Sequence, residues 1–222
     1  PDNKHLVFWT AGKFHKVDVS TKAVSEIPFH VSVEKQVQQA VRVAVDVAPD
    51  TIKVQQIRWA TMSPTGDRVV YQALGKLYVK DVDSGKVQRL TTQSEHDEYY
   101  PSFSRDGKYI TYTTWNDEKL GTVRVVRASG GKGKIISTEP GHYIEPRFSP
   151  DGKHVVFDRF TGGYLLSPEW SMEPGIYVAD VKGKNMRRVV KSGSDAYFGK
   201  DNDRIFYTDY QAGSHGTKMK LV

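Results

Sequence analysis

Four short stretches of the sequence contain residue types and spacings that are used in catalytic or ligand-binding sites. Glu95-His-Asp-Glu98 offers metal-ligand side chains, and Asp81-x-Asp83-x-Gly85 has the spacing that begins a calcium-binding loop. Ala212-Gly-Ser-His-Gly216 approaches the nucleophile turn of serine hydrolases, and Gly130-Gly-Lys-Gly-Lys134 approaches a phosphate-binding loop. Metal coordination, nucleophilic catalysis and nucleotide binding are therefore the chemistries to weigh.

None of the four stretches meets the full requirement of its chemistry. Four consecutive residues on an extended backbone cannot all face one ion, and Thr92 stands where a calcium loop needs its bidentate Glu. The serine stretch is one residue short and no helix-forming segment follows it, while the glycine-rich stretch lacks the spacing and the Ser or Thr of a phosphate loop. We predict turns or loops at these positions, with no catalytic residue, no metal site and no cofactor.

Composition excludes several further classes of function. The chain of 222 residues has a net charge of +6, but its 26 acidic residues are interspersed with its 32 basic ones, and no basic run is long enough to track a nucleic-acid backbone. No apolar run is long enough to span a bilayer, and the absence of cysteine excludes disulfides and thiolate metal sites. We expect neither nucleic-acid binding nor membrane insertion.

The strands that would position a functional site are predicted from a repeated turn motif. Ser63-Pro-Thr-Gly-Asp67, Ser104-Arg-Asp-Gly-Lys108 and Ser149-Pro-Asp-Gly-Lys153 each precede a short run of aliphatic and aromatic residues, and Phe198–Tyr207 is a degenerate fourth copy. The spacings of 41, 45 and 50 residues match one four-stranded propeller blade, and the period-two runs disfavour helical repeats. The sequence therefore predicts an all-β propeller of four-stranded antiparallel blades, and the Ser, Asp and Gly of the motif are expected to build turns.

We treat residues 1–222 as a single partial propeller region, with four to five blades present of a ring of six or seven. Blade boundaries are expected near residues 54, 93, 139 and 192. Residues 31–54 form an atypical insertion for which a short helix or an extended strand pair would fit. Alternation of valine with other residues over Val41–Val47 favours a projecting strand, which could serve as a docking surface for another domain.

The repeats resemble the WD40-like PD40 repeats of TolB and its relatives over nearly the whole chain. Gly12–Asp18, Ile27–Phe29, Val43–Asp46 and Leu74–Val79 look like the propeller region that precedes a metal-dependent amidohydrolase domain in some TolB-like proteins. That domain carries a His-x-His metal motif, and no two histidines of this chain are separated by one residue. The resemblance implies a periplasmic or secreted protein whose hydrolase site, where there is one, lies outside these residues.

In a propeller the innermost strands begin near one mouth of the central channel, so the residues four before each repeat Ser should cluster there. With the adjacent loop residues they form an acidic and aromatic mouth, suited to a peptide terminus, a cation or a partner loop. The candidate binding residues are Trp59, Glu95, His96, Asp97, Glu98, Tyr100, His142, Glu145 and Asp195.

Three functions remain open at this point. The leading one is a non-catalytic scaffold of a larger exported protein, which binds a protein partner or gates an amidohydrolase domain of the same polypeptide. The alternatives are a free-standing TolB-type interaction module and the propeller of a serine peptidase.

Overall fold

The computed structural model describes residues 3–161, 172–210 and 217–221. Every regular element in these ranges is a β-strand, and the strands of each sheet pair in antiparallel fashion. The chain divides into two compact units, residues 1–50 and 51–222. The predicted all-β class is confirmed, while the treatment of 1–222 as one propeller region stays a prediction.

The first unit contains one three-stranded sheet. Its strands are β1 (His5–Thr10), β2 (Lys13–Asp18) and β3 (Val24–Ile27), which pair in chain order. The two-residue loop between β1 and β2 is formed by Ala11 and Gly12, both at positive φ, which is the geometry that matches strand twist in a tight hairpin. Within the described residues, this sheet has one strand fewer than the four-stranded blade that the sequence predicts.

The second unit contains four further sheets, each paired in chain order from its first strand outwards. We name them blades 1 to 4. Blade 1 comprises β4 (Arg58–Met62), β5 (Arg68–Ala73), β6 (Lys76–Asp81) and β7 (Val87–Arg89). Blade 2 comprises β8 (Asp97–Phe103), β9 (Tyr109–Trp115), β10 (Val123–Arg127) and β11 (Lys134–Ile135). Blade 3 comprises β12 (His142–Phe148), β13 (His154–Phe160), β14 (Gly175–Asp180) and β15 (Arg187–Val190). Blade 4 comprises β16 (Ser194–Phe198), β17 (Ile205–Tyr210) and β18 (Thr217–Leu221).

Neighbouring blades pack face to face, and their first strands contact one another in the order β4, β8, β12, β16. Because each central blade is covered on both faces, its strands are apolar on both sides rather than on one. In β13, Val155 and Phe157 pack towards blade 2, whereas Val156 packs towards blade 4. These buried contacts between sheets hold the second unit together, since burying each such side chain contributes about 1.5–3 kcal/mol.

The repeat motif forms the turn between the first two strands of a blade, as predicted. Ser149 is fully buried; its Oγ donates to Asp151 Oδ1 at 2.7 Å and accepts the backbone N–H of His154 at 3.0 Å. Gly152, at φ +69°, donates its N–H to the Ser149 carbonyl at 2.9 Å. Ser104 and Ser63 make the equivalent bonds in blades 2 and 1, so the motif is a structural hydrogen-bonded turn.

The strand expected over Val41–Val47 is wrong. Residues 28–57 contain no helix or strand, and all of them are exposed. Period-two alternation supplies the side-chain pattern of a strand, but a strand also needs a neighbour that accepts its backbone hydrogen bonds, and here none is provided.

The sheets are separated by four connecting stretches, at residues 28–57, 90–96, 136–141 and 191–193. The blade boundaries expected near residues 54, 93, 139 and 192 fall within these stretches and remain a prediction about how the chain divides. The glycine-rich stretch at Gly130–Lys134 leads into β11 and Asp81–Gly85 links β6 to β7, so both belong to hairpin connections. The serine stretch Ala212–Gly216 lies outside the described residues.

Candidate functional site

The first strand of every blade in the second unit is interrupted at the same place. Pairing with the second strand shifts register between Arg58 and Thr61, and equivalent shifts occur in the other three blades. At each shift one non-glycine residue adopts a left-handed conformation, with φ between 49° and 55°. These residues are Trp59, Tyr100, Glu145 and Asp195, the four that stand four positions before the repeat Ser or its equivalent.

A β-bulge of this kind bends the strand and turns a side chain away from the regular alternation. The left-handed conformation costs a non-glycine residue about 1–3 kcal/mol, so four copies represent a substantial strain that the surrounding sheets maintain. We call Trp59, Tyr100, Glu145 and Asp195 the bulge row.

The bulge row crosses four blades whose first strands contact one another in order. The rings of Trp59 and Tyr100 have centroids 4.5 Å apart. Burial, and next the charge of Glu145, raise the pKa of Tyr100; burial, and next the charge of Asp195, raise the pKa of Glu145. The row therefore runs from an aromatic end in blades 1 and 2 to an acidic end in blades 3 and 4.

A cleft of about 420 Å³ opens at the aromatic end. The His142 ring lies in it, with centroids 5.4 Å from Trp115 and 5.6 Å from Phe160, and burial lowers the pKa of His142. The imidazole is thereby held neutral at physiological pH. The cleft is lined by Trp59, Tyr99, Tyr100, Thr113, Thr114, Trp115, Asp117, His142 and Tyr143.

The acidic end contains a carboxylate that the sequence analysis missed. Asp158, on β13, is only 4% exposed, and its Oδ2 accepts the backbone N–H of Asp195 at 3.2 Å. Its Oδ1 has no hydrogen-bond partner among the described residues. Burial, and then the charge of Glu145, raise the pKa of Asp158 to about 7. Arg147 supplies a positive charge in this region, 3.3 Å from Glu145 Oε2.

A signal for Asp158 does exist in the sequence. It stands nine residues after the repeat Ser149, directly after Val155-Val-Phe157, and the same position holds Gln72 in blade 1 and Thr113 in blade 2. A charged side chain where the other repeats carry neutral ones marks a site-specific requirement, because turn and strand geometry are common to all copies.

The loop residues predicted to join the mouth have other surroundings. Glu98 is fully buried and accepts hydrogen bonds from Leu77 N–H at 2.9 Å, from Thr91 Oγ1 at 2.6 Å and from Gln93, which ties blade 1 to blade 2. Burial lowers the pKa of the neighbouring His96 to about 4.

Asp97 and Glu95 face solvent. The Asp97 carboxylate lies 3.4 Å from Lys76 Nζ, and the Glu95 carbonyl accepts a hydrogen bond from Asn116. The contacts of Glu98 are thus those of a structural carboxylate, whereas Trp59, Tyr100, His142, Glu145 and Asp195 line the cleft or form the row.

The described residues contain neither a metal-binding cluster nor a membrane-spanning helix. No group of three or more His, Asp or Glu side chains has an arrangement that could hold a metal ion there. Within the same ranges, no helix has the length and apolar character needed to cross a membrane. What the arrangement offers is a contact surface: aromatic rings at one end and partly compensated carboxylates at the other.

Comparison with known proteins agrees with this architecture. Residues 57–216 match the family model PD40, the TolB β-propeller domain. The Tol-Pal system protein TolB of Francisella tularensis subsp. mediasiatica (strain FSC147) is 29% identical over 122 residues, which is 54% of this chain and 26% of that protein. The chain thus aligns with about a quarter of the length of the curated relatives that it matches.

Solved structures share the fold at low sequence identity. TolB from Acinetobacter baumannii superposes with a TM-score of 0.58 at 18% identity, over 94% of this chain and 45% of that one. An oligogalacturonate lyase from Vibrio parahaemolyticus gives a TM-score of 0.59 at 13% identity, over 98% of this chain and 59% of that one. The match to the family model covers well over half of the sequence, and the chain therefore belongs to the PD40 family of TolB β-propeller domains.

Proposed function

We propose that the chain is a non-catalytic propeller module that binds a protein partner through the bulge row and its aromatic cleft. The observation that carries the proposal is the repeated bulge, which holds a strained residue at the same place on four successive blades whose first strands contact one another. A solvated loop surface has no need of such strain, whereas a binding surface benefits from side chains fixed in advance.

The residue types suit contact with a protein. Trp and Tyr supply a large apolar area and a polar tip at low conformational cost, and they are enriched in protein interfaces. Trp59 and Tyr100 are half-buried, so each presents one face for contact. Because the curated relatives are named as proteins of the Tol-Pal system, we place the partner among the components of that system and the protein in the periplasm or outside the cell.

Site-specific photo-crosslinking tests this proposal in the protein at its full natural length. A benzoyl-phenylalanine replaces Tyr100 in one variant and Tyr109 in a control, because Tyr109 is an exposed tyrosine at the other end of blade 2. We expect a defined protein adduct, identified by mass spectrometry, from position 100 alone. The adduct should weaken when Trp59 is also changed to Ala. Equal adducts at both positions, or none at position 100, would refute the proposal.

A more specific form of the proposal gives the module an adjoining metal-dependent amidohydrolase domain in the same polypeptide. It is supported by the resemblance of Gly12–Asp18 and Leu74–Val79 to the propeller region of such proteins. The full natural-length protein should then hydrolyse amide substrates in a chelator-sensitive way, while residues 1–222 alone should not. Hydrolysis that chelators leave unchanged would favour the serine peptidase alternative, and no hydrolysis at all would leave the free interaction module as the better description.

A further inference from the structure

The acidic end of the bulge row has a feature that its own contacts do not explain. Asp158 is 96% removed from solvent, yet within the part of the chain that the structure describes only one of its two oxygens has a hydrogen-bond partner, the Asp195 N–H. After burial, the charges of Glu145 and Asp195 raise the pKa of Asp158 and that of Arg147 lowers it. Burying a carboxylate oxygen without a hydrogen-bond partner is energetically costly. A bound group that donates a hydrogen bond to this oxygen would remove that cost.

The fold itself does not need a carboxylate at this position. In blades 1 and 2 the equivalent residues, Gln72 and Thr113, pair with the first strand at the same step of the bulge. Asp158 occupies that step in blade 3, opposite Ile144. Two neutral side chains thus allow the same turn, bulge and pairing, and the charge of Asp158 is an addition specific to blade 3.

The charges around Asp158 indicate which kind of ligand could pair with its Oδ1. Among the described residues that shift the pKa of Asp158, Glu145 and Asp195 are acidic and Arg147 is basic, so with Asp158 three carboxyl groups stand against one guanidinium, which pairs with Glu145. The described residues provide no metal-binding set, and a neutral ligand would leave the repulsion in place. An organic cation with several N–H donors satisfies both the unpaired oxygen and the excess charge.

We propose that Glu145, Asp158 and Asp195 form a subsite for one basic side chain, a lysine or an arginine, of the protein segment that binds the bulge row. The inference rests on the function proposed above and deepens it by naming the chemistry of the partner. The charge of Glu145, after burial, raises the pKa of Tyr100 at the bulge of the neighbouring blade 2, and aromatic rings attract cations.

This subsite makes binding depend on pH. A cation favours the ionised form of Asp158, so binding releases the proton that the free protein retains near neutrality. The charged groups that shift the pKa of Asp158 are Glu145 and Arg147 on β12 and Asp195 on β16. The pKa of the Glu145 carboxyl is also raised, so acidification protonates two carboxylates of the subsite and weakens its attraction for a cation.

The probe for this test is N-acetyl-arginine methylamide, with the neutral citrulline analogue as its control. Each is titrated into the isotope-labelled full natural-length protein, and the backbone amide signals of Asp158 and Asp195 are followed by NMR. We expect the arginine probe alone to shift both signals, with affinity about tenfold weaker at pH 5.5 than at pH 8. The variants Asp158→Asn and Glu145→Gln should each lose about tenfold at pH 8.

The control variant is Asp83→Asn, which removes a carboxylate from the exposed β6–β7 turn and should leave probe affinity unchanged. Equal shifts with citrulline, or unchanged affinity in both Asp158→Asn and Glu145→Gln, would overturn the subsite. Displacement of the probe by calcium or manganese at micromolar concentration would show a metal site and overturn it as well. Crosslinking at position 100 without any of these effects would leave the proposed function standing and remove only the subsite.

Discussion

Asp158 on blade 3 accepts the backbone N–H of Asp195 on blade 4, with 3.2 Å between Oδ2 and N. Asp195 is itself the bulge residue of blade 4, at φ 55°. One buried carboxyl group therefore holds the strained backbone of the next blade while it lies beside the carboxylate of Glu145. Asp158 therefore both supports the backbone of the site and experiences electrostatic repulsion within it. Several consequences can be measured.

The first prediction concerns stability and pH at Asp158. Its pKa is raised from an ordinary 3.8 to about 7, so the folded protein binds this proton more tightly than the unfolded chain does. Below pH 4 the carboxyl group is protonated in both the folded and the unfolded state, so it costs no stability. As the pH rises from 4 through 7 the unfolded chain ionises first, and the free energy of unfolding falls. Asparagine mimics the protonated form and can still accept the Asp195 N–H. We expect Asp158→Asn to raise the free energy of unfolding by about 2–4 kcal/mol at pH 8.

Urea unfolding followed by circular dichroism at pH 8 and pH 4.5 measures this difference. The advantage of Asp158→Asn should shrink to less than about 1 kcal/mol at the lower pH. Asp83→Asn, at an exposed turn, should change little at either pH. A variant that is less stable than the parent at pH 8 would show that the charge of Asp158 supports the fold.

Glu98 leads to the opposite prediction, because its oxygens are paired. It accepts three hydrogen bonds, including the Leu77 N–H of the neighbouring blade, in a fully buried position. Replacement by Gln puts an amide N–H₂ where an acceptor is required. We expect Glu98→Gln to lower the free energy of unfolding by about 1–3 kcal/mol. Glu118→Gln, on an exposed loop, is the matched control, and equal effects in the two variants would contradict the structural role.

The repeat serines should be interchangeable in their energetic role. In Ser149→Ala the N–H of His154 and the carboxylate of Asp151 each lose a partner. We expect a loss of about 1–2 kcal/mol, and a similar loss in Ser104→Ala, measured by thermal or urea unfolding. Ser192→Ala, at an exposed position, provides the comparison. A loss confined to one blade would argue against a common structural motif.

A stabilising change is predicted at Leu74. This residue and Gly75 form the two-residue loop between β5 and β6, with φ of 47° and 74°, and the Leu74 side chain is 67% exposed. Asparagine tolerates this left-handed conformation better than leucine or alanine does. We expect Leu74→Asn to gain about 0.4–1 kcal/mol and Leu74→Ala to gain less. Equal melting temperatures for the two variants would contradict the role of backbone conformation.

The position of a residue relative to the repeat Ser predicted the site residues better than residue type did. Counting four residues back from each repeat Ser identified Trp59, Tyr100, Glu145 and Asp195, and all four are bulge residues. Counting alone did not reveal the left-handed backbone, since tryptophan and tyrosine are not residues from which a positive φ is expected. Glu98 and His96 were grouped with the mouth because they adjoin it in sequence, yet both are buried among other partners.

The sequence by itself determined the strands and their turns, because Ser-x-x-Gly turn chemistry and period-two apolar runs are local properties that each repeat encodes independently. Tertiary structure decided which side chains meet. The pairing of Asp158 with Asp195 and the burial of Glu98 between two blades depend on how neighbouring sheets pack, and no single segment contains that information. The exposed stretch 28–57 is a further case in which local sequence was not sufficient. Its valines alternate as in a strand, but a strand forms only where an adjacent strand accepts its backbone hydrogen bonds.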